Sequence, residues 1–227
     1  MLWTPAQRGA ELIAWLDADP AYVTLVTGAV AAWADRSLSG RNFAQASVPN
    51  RLGYSASEAA FGGRPAVLGT GMGWIDALAS VAIPRPFTVY GVWRSGGTGD
   101  WRTLIDDSVG ARVIVRVDPS GNLSYYAGVG NVLSTAPVTS ASIVAAVFDG
   151  PSSSLYANSV TPVATGNPGT NGLVGLRVGG APGSTYFLPP TGAISEIVLL
   201  TGADSADERA QMFRYLSGKF ALSVTGL

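Results

Sequence analysis

Arg112-Val113-Ile114-Val115-Arg116-Val117-Asp118-Pro119-Ser120-Gly121-Asn122-Leu123-Ser124-Tyr125-Tyr126-Ala127 is the stretch on which the fold turns. Its first six residues alternate. Val113, Val115 and Val117 share one face of an extended chain, and Arg112, Ile114 and Arg116 share the other. Asp118 to Asn122 then supplies a turn, with proline at the first central position and glycine where a left-handed backbone is needed. The chain returns through residues 123–127, so the whole stretch reads as a β-hairpin.

Working outward, the same grammar repeats. Residues 22–26 and 30–33 flank Thr27-Gly28 as a second tight hairpin. Residues 142–148 and 154–157 flank Asp149-Gly150 as a third. Further strands are expected over residues 65–68, 87–93, 101–105, 173–178 and 194–200, with a short apolar run over 12–16. One helix stands out. Ser205-Ala206-Asp207-Glu208 has the spacing of a capping box. Met212, Phe213 and Leu216 follow on one helical face, and Gly218 is the expected stop. Many short strands followed by one amphipathic helix predict an all-β protein: a two-sheet antiparallel sandwich with the helix packed on its outside. No linker divides residues 1–227. The chain reads as a single domain with an N-terminal arm over 1–11 and a helix over 205–218. Trp15, Trp33 and Trp93 lie in apolar strands and are expected in the core.

Composition narrows function. The 227 residues include no cysteine and no histidine. Disulfides, thiolate metal sites, Cys nucleophiles and every Ser-His pair are therefore excluded. Charged residues make up 13% and the net charge is −1, against about 25% charged in an ordinary domain. No basic block marks a nucleic-acid partner, and no apolar run approaches the roughly 18 residues of a membrane span. So few charges imply that some surface is covered by other subunits, and a homo-oligomer is expected. Met1 to Arg8 shows no apolar signal core behind a basic start, so a cleaved secretion signal is not expected.

Several segments together resemble the concanavalin A-like, or laminin-G-like, jelly-roll superfamily, most clearly its stand-alone form in bacteriophage structural proteins. Leu12-Ile13-Ala14-Trp15-Leu16-Asp17-Ala18 looks like the family's opening. Asp35-x-Ser37 with Gly40-Arg41-Asn42, and Gly63-Arg64-Pro65-Ala66-Val67, look like its early loop and strand. Phe87-Thr88-Val89-Tyr90 is similar to its central strand. Phe148-Asp149-Gly150 with Leu155-Tyr156-Ala157-Asn158 is similar to its late hairpin, although Ser159 stands where glycine is usual. Gly192-Ala193-Ile194-Ser195-Glu196-Ile197 and the segment 205–222 look like its close, with Phe220 in place of a terminal tryptophan. The resemblance spans residues 12–222. It implies a jelly roll and, as function, a non-enzymatic virion component in the capsid decoration, tail or fibre. Such a protein is made in the host cytoplasm and located in the virion. Its partners would be phage capsid or tail proteins and copies of itself, with a trimer as the first expectation.

The alternative is a carbohydrate-binding, lectin-like module that recognises a host surface glycan. Aromatic side chains that stack on a sugar are its first requirement. Trp74, Trp93, Trp101, Tyr125 and Tyr126 are the rings available; Trp74, in the glycine-rich Gly71-Met72-Gly73-Trp74, is the better candidate for an exposed contact, with Tyr125 and Tyr126 as the others. Being consecutive on a strand, these tyrosines must face opposite ways. Glycoside hydrolases among the jelly-roll relatives carry Glu-x-Asp-x-x-Glu, which this chain lacks, so no catalytic residues are expected. Asp17, Asp19, Asp35 and Asp149 are of the type a hard cation takes, but no loop collects three of them. Neither a metal nor a cofactor is expected. For assembly, Leu2 and Trp3 at one end and Leu227 at the other are the expected contacts.

Overall fold

Phe87–Arg94 is the strand around which the molecule is built. Phe87, Val89 and Trp93 enter one apolar cluster, and Tyr90 and Val92 enter another on the opposite face. Both edges of the strand are paired. Ser142–Phe148 runs antiparallel along one edge, from Ser142 opposite Trp93 to Phe148 opposite Phe87. Ala193–Thr201 runs antiparallel along the other. The computed structural model describes residues 3–77, 82–108, 112–180 and 186–227.

From this centre an eight-stranded sheet extends in the order Ala164–Thr165, Ser154–Ala157, Ser142–Phe148, Phe87–Arg94, Ala193–Thr201, Arg64–Leu68 and Gly53–Glu58. Leu12–Asp17 also pairs with Ala193–Thr201. A nine-stranded sheet follows the order Val132–Pro137, Asn122–Ala127, Val113–Val117, Arg102–Asp106, Arg177–Val178, Ile75–Ala77, Phe43–Ala44, Ala29–Trp33 and Val23–Val26. Leu173–Val174 and Ala82–Ile83 form a small third ladder. Pro137 ends an edge strand, where its missing N–H costs no ladder bond.

The two large sheets stack face to face, and the larger apolar cluster lies between them. Val113, Val115 and Val117 enter it as their alternation predicts. Tyr125 from one sheet meets Phe148 from the other edge-on, with ring centroids 5.4 Å apart. The sheets approach so closely at Gly91 that a Cβ there would stand 2.6 Å from Leu104 Cδ2. Trp15, Trp33 and Trp93 are all buried. The chain is thus a two-sheet antiparallel sandwich with a single C-terminal helix.

A second apolar cluster fills the other face of the eight-stranded sheet, where the helix Ala206–Phe220 lies. Ser205 caps it as predicted. The Glu208 N–H donates to Ser205 Oγ at 3.3 Å, and the Ser205 N–H donates to Glu208 Oε2 at 2.8 Å. Gly218, by contrast, does not stop the helix. It continues to Phe220, and Ala221 takes the left-handed conformation at φ 53°. Burial wins over propensity here, because Phe220 packs edge-on against Phe61 with centroids 6.3 Å apart. The strand expected over 173–178 is also divided. Gly175 bends the chain at φ 73° and leaves two short strands in different ladders.

Candidate ligand-binding face

Strand alternation sends Val113, Val115 and Val117 into the core, so Ile114 and Arg116 point to the far face of the nine-stranded sheet. Register then lays out that face. Tyr126 stands opposite Ile114, and Ser124 and Thr103 flank Arg116. Asp106 stands opposite Arg177, Arg177 opposite Asp76, and Asp76 opposite Ala44.

These side chains join into a belt of aromatic rings and arginines. The Arg116 guanidinium lies 3.7 Å from the Trp101 ring centroid and 5.8 Å from that of Tyr186. The Trp101 and Tyr186 rings are 6.1 Å apart. Phe187, next in the chain, stacks on Trp74 at 5.8 Å and 20°. Arg177 lies 5.0 Å from Trp74 and grips Asp76 in a bidentate pair of 2.6 and 2.7 Å. Trp74, Trp101, Tyr126, Tyr186 and Phe187 are all half-buried. Arg116 Nη2 donates to Asn131 Oδ1 at 3.1 Å, and the Ser124 hydroxyl donates to the same oxygen at 3.2 Å. At one end Arg112, Ile114, Arg116 and Tyr126 line a recess of about 120 Å³.

Asp106 is wholly buried. Burial pushes its carboxyl up to about 7; the neighbouring Arg112 opposes this and Asp107 adds to it. Asp106 therefore titrates near neutrality within a sheet face that also carries Arg112, Arg116 and Arg177.

Of the residues expected to touch a glycan, Trp74 and Tyr126 lie on this face. Tyr125 is the inward member of its pair. It is wholly buried, with its hydroxyl donated to the Gly166 carbonyl at 3.2 Å, and so is out of reach of a surface ligand. Trp101 is among the rings the sequence offers for stacking; Arg116, Arg177, Asp76, Tyr186 and Phe187 are not singled out by it. Arg116 had a legible signal, as the charged member of the outward face of an alternating strand. The others come from separate segments that only the sheet register unites.

Of the assembly candidates, Leu2 lies outside the described residues. Trp3 packs edge-on against Tyr215 of the helix at 6.0 Å. Leu227 is partly exposed, and the tail before it is tied down by bonds between Thr225 and the backbone of Asn158 and Val160.

Residues from three of the resemblance segments meet elsewhere, under the helix. Register places Asp17 beside Glu196. The Lys219 ammonium donates to both, at 2.7 Å to Asp17 Oδ2 and 2.6 Å to Glu196 Oε2. Trp15 Nε1 and the Tyr215 hydroxyl donate to Glu196 Oε1 at 2.7 and 2.9 Å, and Arg36 pairs with Asp17. A glycosidase pair must leave room between its carboxyls for the bond it cleaves. Here an ammonium fills that room, and both carboxylates are buried.

Asp35 organises its own loop. It accepts from the backbone N–H groups of Trp15, Ser37 and Arg41 and from the hydroxyls of Ser37 and Ser39. Burial alone would raise its carboxyl, but the bonds from Trp15, Ser37 and Ser39 prevail and hold it below the usual range. Asp149 makes no such cap bond with its side chain. Among the described residues, no group of three His, Cys, Asp or Glu is placed to hold a metal ion.

No sequence profile of a known family matches the chain, and no curated protein matches it in sequence. Solved structures do resemble it. Domain 4 of AbnA, a GH43 extracellular arabinanase from Geobacillus stearothermophilus in complex with arabinotriose, is 14% identical. That match covers 91% of this chain and 98% of that one, with a TM-score of 0.58. The binding domain of Paraclostridial Mosquitocidal Protein 1 is 10% identical over 92% of this chain and 53% of that one, with a TM-score of 0.64. Trypanosoma rangeli sialidase is 14% identical over 92% of this chain, with a TM-score of 0.58. The chain spans only 33% of the sialidase's length. At these identities the likeness is one of fold: the chain is a β-sandwich of the kind these three proteins contain.

Proposed function

We propose that the protein is a non-catalytic carbohydrate-binding module that holds a glycan on the outer face of the nine-stranded sheet. The continuous belt from Trp101 through Arg116, Tyr186, Phe187 and Trp74 to the Arg177–Asp76 pair carries this reading. Sugar rings present C–H faces and a rim of hydroxyls. Aromatic rings take the faces, and a few fixed charged and amide groups take the rim. Arg116, Arg177 and Asp76 supply the charged groups from strands, and the rings of Trp74 and Trp101 stand immediately before strands, which lowers the cost of ordering on binding. The arabinanase domain solved with arabinotriose and the mosquitocidal binding domain support the reading by fold. Glycan binding as the principal role replaces the virion role in the order of preference, because these neighbours lend the virion role no support.

The test is titration calorimetry of the purified chain against arabinotriose and a panel of plant and bacterial oligosaccharides. A saccharide should bind, and Trp74→Ala and Trp101→Ala should each weaken it roughly tenfold with unfolding temperatures retained. Binding that survives both substitutions unchanged would move the site off this face. If no saccharide binds and the chain sediments as a closed oligomer, the self-assembling virion component expected from sequence takes its place.

A further inference from the structure

Arg116 is a buried cation with no carboxylate in ion-pair contact among the described residues; Asp106 attracts it only from farther off. Arg116 itself is 8% exposed, and its Nε is buried with no acceptor among the described residues. Thr103, its neighbour across the strands, has an equally buried and unpartnered hydroxyl. No carboxylate of the described residues, which include every Asp and Glu in the chain, pairs with Arg116. Among the described residues, the one hydrogen-bond acceptor of its side chain is the amide oxygen of Asn131. The other arginines of this face are matched: Arg177 with Asp76, and Arg112 with Asp106 at 3.4 Å. Burial, with Arg112 beside it, pushes the Arg116 guanidinium below its ordinary value.

Leaving a buried charge unpaired is costly, and an incoming anion recovers that cost. The place for one exists. Arg116 and Arg112 flank the same recess, Tyr126 adds a phenol and Ile114 the remaining wall. Its volume of about 120 Å³ exceeds the roughly 30 Å³ share of a water molecule several times over. The recess adjoins the Trp101 end of the belt through Arg116 itself.

We infer that this recess takes the carboxylate of an acidic saccharide, such as a hexuronic acid, whose ring lies along the aromatic belt. The inference deepens the glycan-binding reading and rests on it. The guanidinium fork of Arg116 receives the two carboxylate oxygens, as planar bidentate recognition favours. Arg112 supplies a second positive charge, and the Tyr126 hydroxyl a neutral donor.

The experiment titrates the full chain with trigalacturonate, its fully methyl-esterified form, a carboxylate-free sulfated galactose disaccharide and arabinotriose. Trigalacturonate should bind at least roughly tenfold more tightly than its ester, and Arg116→Gln should erase that advantage. Added salt should weaken the acid and leave the ester unchanged. If Arg116→Gln lowers the unfolding temperature, Arg112→Gln and Tyr126→Phe carry the same comparison. Equal affinity for acid and ester overturns the acidic recess while leaving the glycan-binding face intact. Preference for the sulfated sugar over trigalacturonate overturns the carboxylate assignment. Failure of every saccharide overturns the glycan reading and this inference with it.

Discussion

Lys219 is the one lysine in a chain with thirteen arginines. It occupies a position where a compact ammonium is the fitting cation, between the Asp17 and Glu196 carboxylates. A planar guanidinium would not divide its bonds between them in the same way. Burial pushes the Glu196 carboxyl up, and Lys219 opposes that shift. Lys219→Met would leave two buried carboxylates facing each other, so it should cost about 3–5 kcal/mol. Urea unfolding reads this directly, and an unchanged midpoint would show that the cluster contributes nothing. The sequence contained every member: Trp15 and Asp17 in the opening segment, Glu196 near the close, Tyr215 and Lys219 in the helix. Nothing local says that residues so far apart in sequence share one ion cluster. That follows only from the pairing of Leu12–Asp17 with Ala193–Thr201.

At the scale of elements, strands with a strict alternation and helices with a cap are legible, and elements defined by their neighbours are not. Val113–Val117 and the Ser205 cap carry their own signals. Phe43–Ala44, Ala82–Ile83 and Ala164–Thr165 are strands only because another strand lies beside them. The helix end shows the same limit. Glycine at 218 argues for a stop, but Phe220 one residue beyond Lys219 must reach the pocket beside Phe61. Gly218 therefore bears the entropic cost of a helical glycine with no steric reason for it, since a Cβ there would meet nothing within 4 Å. Gly218→Ala should stabilise the protein by about 0.5–1 kcal/mol. Calorimetry should show a raised unfolding temperature; a fall would mean that the last turn is not helical in solution.

For the whole molecule, the buried carboxyls set a dependence on pH. Asp106, with its carboxyl raised to about 7, holds a proton in the folded state that the unfolded chain has released. Stability from this group is present at low pH and is lost as pH rises toward neutrality. The shift corresponds to at most about 4 kcal/mol. Glu196 is raised as well and acts in the same sense. Asp35 and Glu208 are lowered, so their stabilisation is lost as pH falls through the acid range. Asp106→Asn should flatten the decline between about pH 4 and pH 7 in chemical unfolding curves. An identical slope in that variant would show that Asp106 stays ionised. The sandwich itself was readable from one hairpin and one helix. The candidate face was not, because its belt joins arginines from separate strands to rings from the segments between strands, and the sequence offers only Trp74, Trp101 and Tyr126 of the face's aromatic members.

The position of Ala193–Thr201 bears on how the chain is made. It lies between Phe87–Arg94 on one side and Leu12–Asp17 with Arg64–Leu68 on the other. A ribosome delivers those three strands first, and they must wait with a slot open between them until residue 201 has emerged. During that interval their inner edges are unpaired and apolar, which is the condition under which nascent chains associate wrongly. The eight-stranded sheet therefore cannot be complete until Ala193–Thr201 has entered it.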